Sequence, residues 1–278
     1  MRKKLFNTER GNNIRIKKFG FSGAFLFIFL ICNTANFAYG YDEKPSYQLL
    51  ISAVMGYANN KAMNNSTKSV ARYDADWLNS LPVSPQYPSP RFSVDNTSAN
   101  FSGGCDVDFR YFFDNFGIGL QSGYHIARAE SEMTEPRYVD KSTTTYELSV
   151  VPVVSTLFYR ITRSSNSFIL LGGGIGYYFG KVKFDYEDKI TIPPNYSYSF
   201  SGKQSKVGVH ALIEYDYILD NGITFFGGVK YRYIQFDKFK KGGKVAQELG
   251  YGPNGIPVKN LKAGLTGVTA YIGAGVSF

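Results

Sequence analysis

His125 and His210 are the chain's two histidines and its readiest acid–base groups. Hydrolytic chemistry at either would need a nucleophile and a carboxylate close by. Ser205 stands five residues from His210, off the same-face period of two, and Ser277 has no histidine in its own run. The charges around the histidines follow a different pattern. Asp106, Asp108 and Arg110 recur at every second position. Glu214 and Asp216 do so in phase with His210, as do Lys230 and Arg232 with each other. With Glu147 they form a set of five acids and three bases able to pair, as expected of a polar interior network rather than a catalytic centre. Cys105 is isolated from other metal-ligating types, so no metal site is expected. No cofactor motif is present either: Gly250–Gly255 is turn material without the strand–loop–helix setting of a phosphate loop.

The elements that must position these residues are strands. Eight runs alternate between apolar and polar or glycine residues. They are Tyr47–Asn59, Ala99–Phe113, Gly117–Ala129, Thr144–Arg160, Ser167–Phe184, Ser201–Leu219, Ile223–Phe236 and the terminal run through Phe278. The fourth is the least clean, since Val150–Val154 is apolar on both faces around Pro152. In the sixth, Val207, Val209, Ala211, Ile213, Tyr215 and Tyr217 oppose Gly208, His210, Glu214 and Asp216. In the last, Val268, Ala270, Ile272, Ala274, Val276 and Phe278 share one face. An apolar face carried to an aromatic last residue fits contact with lipid, where only helices and closed barrels satisfy their backbone. Inside such a barrel the charges must pair, and Gly172, Gly174 and Gly176 could leave local water-filled space.

Tight connections (Asp114–Phe116, Thr162–Asn166, Asp220–Gly222) alternate with long ones (Asn60–Ser98, Glu130–Thr143, Asp185–Tyr198, Asp237–Gly264). Strict alternation is the pattern of an up-and-down barrel with tight turns at one end and long loops at the other. The first long loop carries Trp77 and then Pro82, Pro85, Pro88 and Pro90, a composition that resists strand pairing. The fourth carries Lys238, Lys240, Lys241, Lys244, Lys259 and Lys262, a basic surface loop suited to anionic lipopolysaccharide or acidic glycans.

The N-terminus reads as an export signal over residues 1–40. A basic stretch (Arg2, Lys3, Lys4, Arg10, Arg15, Lys17, Lys18) precedes an apolar run, Phe19–Cys32, and then Ala38-Tyr39-Gly40. A helix needs roughly 20 residues to span a bilayer, and this run is shorter. Removing residues 1–40 takes seven bases and one acid, so 31 basic and 22 acidic residues fall to 24 and 21. The net charge drops from +9 to +3, which argues against nucleic-acid binding.

The leader, the eight runs, the loop pattern, the Gly-rich Leu171–Gly176 and terminal Phe278 together resemble the small eight-stranded outer-membrane β-barrels of the OmpA/OmpX-like and opacity-protein-like group. The resemblance covers residues 41–278 and implies an all-β, antiparallel, up-and-down transmembrane barrel in a Gram-negative outer membrane. It implies a structural or adhesin-like surface role carried by the extracellular loops, without catalysis. It also implies Phe278 as the signal read by the barrel-assembly machinery, a monomer, and outer-membrane lipid and lipopolysaccharide as partners, with a host or cell-surface ligand left open. The alternatives are a porin-like small-solute channel and a lipid-modifying barrel enzyme.

Overall fold

The structure is a computed structural model describing residues 47–58, 63–65, 67, 93–97, 101–135, 140–189, 196–241, 244–245 and 263–278. The signal region, Trp77, the proline-rich loop, Lys259 and Lys262 lie outside these residues.

Eight antiparallel strands form the wall: β1 (Tyr47–Ala58), β2 (Phe101–Phe113), β3 (Phe116–Glu135), β4 (Asp140–Ser164), β5 (Ser167–Lys189), β6 (Tyr196–Ile218), β7 (Ile223–Tyr233) and β8 (Gly267–Ser277). Each pairs with its neighbours in sequence, and β1 with β8 closes the ring. Closure leaves no unpaired edge at membrane depth, which is what lipid demands of a backbone. At the closing seam, Tyr47 and Phe278 exchange backbone bonds of 2.8 and 2.9 Å, and their rings stack at 5.8 Å. The tight turns lie at this same end. Asp114 and Gly222 both take a left-handed φ there, as tight hairpin loops require.

The outward face is apolar. Ile118, Leu120, Leu157, Leu171, Ile175, Val209, Ile213, Val229 and Ile272 are all exposed. Aromatics flank this belt: Tyr111, Phe113, Phe116, Tyr159 and Tyr217 towards the tight turns, and Tyr57, Phe101, Tyr177, Phe179 and Tyr233 towards the other end. A soluble protein does not expose such a band; it is the lipid-facing surface of a membrane barrel. One residue departs from the pattern. Val276 is buried, between its register partners Leu49 and Ile223.

Strand lengths differ from the sequence reading. β1, β2, β7 and β8 have 12, 13, 11 and 11 residues, close to a spanning length. β3 to β6 have 20, 25, 23 and 23, so pairing runs far into stretches expected to be loop. Their outward residues turn polar beyond Ile126, Val151, Phe179 and Val207, so the alternating pattern fades a few residues further on, where the sequence reading ends its runs at Ala129, Thr144, Phe184 and Ser201. Their inward residues are mostly apolar: Ala129, Met133, Tyr146, Leu148, Phe184 and Phe200 are buried, with Ser131, Ser142 and Thr144 among them. Segments from the connections cover this upper sheet, including Met63, Phe236, Phe239, Ala263 and Leu265, and bury a continuous apolar core with it. Ser93–Thr97 adds a short strand to β3 at Glu130–Thr134.

Inward glycines are filled, not wet. A Cβ on Gly172 would sit 3.0 Å from Leu212, and one on Gly176 2.6 Å from Val154. On Gly174 it would lie 1.9 Å from the Ser155 carbonyl oxygen. These positions hold no water-filled space; bulky neighbours occupy it.

Arg in place of Val209, Ile213 or Val229 should cost about 2–4 kcal/mol of barrel stability. Arg in place of Ser149, just beyond the belt on β4, should cost little. Reversible unfolding in lipid vesicles measures both, and equal costs at the two depths would displace the belt.

Candidate functional site

The period of two sends Asp106, Asp108 and Arg110 inward from β2, His210, Glu214 and Asp216 from β6, and Lys230 and Arg232 from β7; all are buried. The charged side chains meet at the level of the lipid belt in two groups, and His210 stands outside both, against Thr156. In the first, Arg110 Nε donates to Asp108 Oδ2 at 2.8 Å. Its Nη2 donates to Glu214 Oε2 at 3.0 Å while Nη1 donates to Oε1, a two-pronged contact. Asp216 Oδ2 lies 3.7 Å from Nη1. The guanidinium also lies 4.7 Å from the centre of the Phe158 ring.

The second group gathers on Asp106. Gln121 Nε2 donates to Asp106 Oδ2 at 2.9 Å, and Arg232 Nη2 to the same oxygen at 3.0 Å. His125 Nε2 stands 2.8 Å from Oδ1 and so carries the donated proton. That leaves Nδ1 as acceptor facing Arg232 Nη1 at 3.4 Å, the tautomer the contacts select. Lys230 Nζ donates to Gln121 Oε1 at 2.7 Å.

Glu147 lies apart from this network. It is half-buried on the outer side of β4, beyond the lipid belt, in register with Lys183 and 3.4 Å from Ser149 Oγ. The reason is parity. Even-numbered residues of β4 (Tyr146, Leu148, Val150) face inward, and Glu147 is odd. The same parity brings in residues the sequence reading missed. Thr156 Oγ1 is 3.0 Å from His210 Nε2. Arg160 is buried near the tight-turn end, 3.7 Å from the centre of the Phe112 ring and 4.8 Å from that of Phe168. Gln121 was legible from its place opposite Asp108 in the hairpin, and Arg160 from counting four residues past Thr156.

Apolar clusters flank the charged belt on both sides. Phe112, Phe158, Phe168, Leu170, Leu212 and Ile218 pack towards the tight-turn end, beside buried Gln48, Thr224 and Ser277, and the upper core packs towards the other. The Thr156–His210 contact is the one arrangement of hydroxyl and imidazole among the described residues that evokes a nucleophile and base. Both partners are buried, and His210 Nδ1 has no protein partner to orient it. No group of three or more potential metal ligands occurs among the described residues.

Of the basic loop, Lys238 and Lys240 are exposed at its root, and Lys241 and Lys244 form a short hairpin through Lys240–Lys241 and Lys244–Val245. Asp237 anchors this root. Gln204 Nε2 donates to its Oδ1 at 2.9 Å and Lys206 Nζ lies at 3.0 Å. These bonds, Gln204 first, hold its carboxyl below the usual range. A lowered folded pKa means the anchor is present above the unfolded value and lost as pH falls through the folded one. Protection of the Asp237–Lys240 amides, taken relative to their intrinsic exchange at each pH, should therefore fall on acidification, and Asp237→Asn should remove that dependence.

Arg110→Met should destabilise the barrel by about 3–5 kcal/mol, because three carboxylates then remain buried without their cation. Met fills most of the volume, so a loss near zero in vesicle unfolding would mean the network contributes little.

No family model matches the chain, and no curated protein matches it. Solved structures similar to it include the outer membrane protein OprG from Pseudomonas aeruginosa, at 14% identity over 85% of this chain and 97% of that one, with a TM-score of 0.47. Ail, the attachment invasion locus protein of Yersinia pestis, solved in complex with the heparin analogue sucrose octasulfate, is 13% identical over 85% of this chain and 100% of that one, with a TM-score of 0.37. Neisserial surface protein A is 12% identical over the same shares, with a TM-score of 0.36. The closed ring and the lipid-facing belt stand on this chain's own strand pairing and exposure.

Proposed function

We propose that the chain is an outer-membrane protein with a non-conducting lumen that works through its extracellular extension, as a structural or surface-interaction protein without catalysis. The observation that carries this reading is the layered interior. The charged belt at lipid depth is flanked by an apolar cluster on one side and by the upper apolar core on the other. A conduit needs polar surface continuous from mouth to mouth, and these layers interrupt it. Loops and extended strands are then the parts available to a partner. The tight turns and the Tyr47–Phe278 seam face the periplasm in this reading, as in barrels whose longer connections lie outside. The export signal ends at Gly40, and exposed Phe278 is the terminal aromatic that the assembly machinery reads.

Purified barrel in planar bilayers should give no discrete current steps. Regular steps would favour the small-solute channel instead. A tag near Ser84 should be reached by antibody on intact cells, and a tag in the Thr162–Asn166 turn should not; the reverse would invert the orientation. Phe278→Asp should lower the amount of folded, heat-modifiable protein in the membrane, and unchanged amounts would remove the assembly role.

A further inference from the structure

Three lysines meet in register just beyond the lipid belt. Lys181 on β5 pairs with Lys203 on β6, and Lys203 pairs with Lys240 of the short strand Lys240–Lys241. Directly opposed residues of antiparallel strands share a face, and all three side chains are exposed. Opposed like charges destabilise a sheet unless something of opposite sign lies between them. The described residues do not supply it. The nearest acids in register are taken up one row higher: Lys183 lies opposite Glu147 and donates to Asp185 at 2.5 Å. Asp237 is occupied by Lys206 and Gln204. No carboxylate among the described residues pairs with Lys181, Lys203 or Lys240.

Depth identifies the missing anion. Lys181 takes the next outward position after exposed Phe179, and Lys203 stands two outward positions beyond exposed Val207. The row therefore lies directly above the last aromatic of the belt. That is the level of lipid headgroups rather than of open solvent. Neighbouring Cβ atoms about 5 Å apart let flexible ammonium groups converge on one tetrahedral anion.

We propose that the Lys181–Lys203–Lys240 row is a binding site for a phosphate group of an outer-leaflet glycolipid. The site rests on the extracellular orientation proposed above for its lipid source, and its ligand chemistry does not. Bound phosphate offsets the repulsion across three strands and ties β5, β6 and the root of the β7–β8 connection to the membrane surface.

The test uses the full mature barrel folded into phosphatidylcholine vesicles, with and without bis-phosphorylated lipid A. Wild-type protein should bind lipid A and unfold at a higher temperature in its presence. Lys181→Gln with Lys203→Gln should weaken binding about thirtyfold, from about fivefold per lysine near an anionic surface. Lys183→Gln, which removes an equal charge already paired with Asp185, should leave binding near wild type. Heat-modifiability confirms that each variant is folded. Equal loss in Lys183→Gln would overturn the site in favour of general surface charge, as would undiminished binding by the double variant. Dephosphorylated lipid A should not bind; equal binding would overturn phosphate as the ligand. Inorganic phosphate should not stabilise the barrel in plain phosphatidylcholine vesicles, and stabilisation as large as that by lipid A would overturn the lipid source. Orientation is read separately, by labelling Lys240→Cys on intact cells of a Cys105→Ser background, so failure of the site and failure of the orientation give different results.

Discussion

A ring of eight strands encloses a space only as wide as the side chains that point into it. Every inward residue must therefore fit against the opposite wall as well as against its neighbours. Size is matched between neighbouring strands. The Phe158 ring occupies the space over Gly119, where a Cβ would come within 2.7 Å, and the Phe226 ring does the same over Gly273 at 2.5 Å. Charge is matched across the lumen itself. β2 and β6 lie four strands apart around the ring, on opposite walls, and Arg110 and Glu214 join them. β3 and β7 stand in the same relation, and Gln121 with Lys230 and His125 with Arg232 join those.

These cross-lumen contacts explain why a buried ionic network is kept although it offers little net stability over apolar filling. A slip of one residue in any strand would turn its inward set to lipid. For β2 that would place Asp106, Asp108 and Arg110 in hydrocarbon and strand their partners on β6 and β7. The penalty falls on several strands at once, so the network selects one register for the whole ring. Apolar filling alone would discriminate less sharply, because inward and outward residues would then be similar.

The same parity made most of the wall legible from sequence. Val209, Ile213 and Val229 are exposed and Glu214, Asp216, Lys230 and Arg232 buried, as alternation implied. Legibility failed where both faces had similar chemistry. Around Pro152, Val150 to Val154 is apolar on either side, which hid the phase of β4; Glu147 was placed inside and Arg160 overlooked. The structure resolves the phase, with Val150 and Val154 buried and Val151 and Val153 exposed. Pro152 also marks a local break: no register pair joins β3 and β4 between Ser122–Val153 and His125–Val150. There the missing backbone donor of Pro152 is tolerated, and its carbonyl accepts instead from Ser122 Oγ at 2.9 Å. Partners such as Thr156 for His210 were illegible for another reason. They depend on inter-strand register, which sets Thr156 and His210 in one row on either side of Gly174 and which periodicity within a strand does not report.

The two faces of the wall also exchange chemistry along the barrel axis. At lipid depth the outside is apolar and the inside charged. Above Ile126, Val151, Phe179 and Val207 the outside carries Arg128, Glu130, Lys183 and Asp185, and the inside carries Tyr146, Leu148, Phe184 and Phe200. Each arrangement answers its surroundings. Lipid on the outside gives no hydrophobic drive to hold strands together, so closure and the internal network must do so. Water on the outside restores that drive, and the upper sheet is held as a soluble sheet is, by burying one apolar face beneath Phe236, Phe239 and Leu265. The extension therefore has a core of its own, separate from the ionic belt. Its polar outer face can vary without disturbing either.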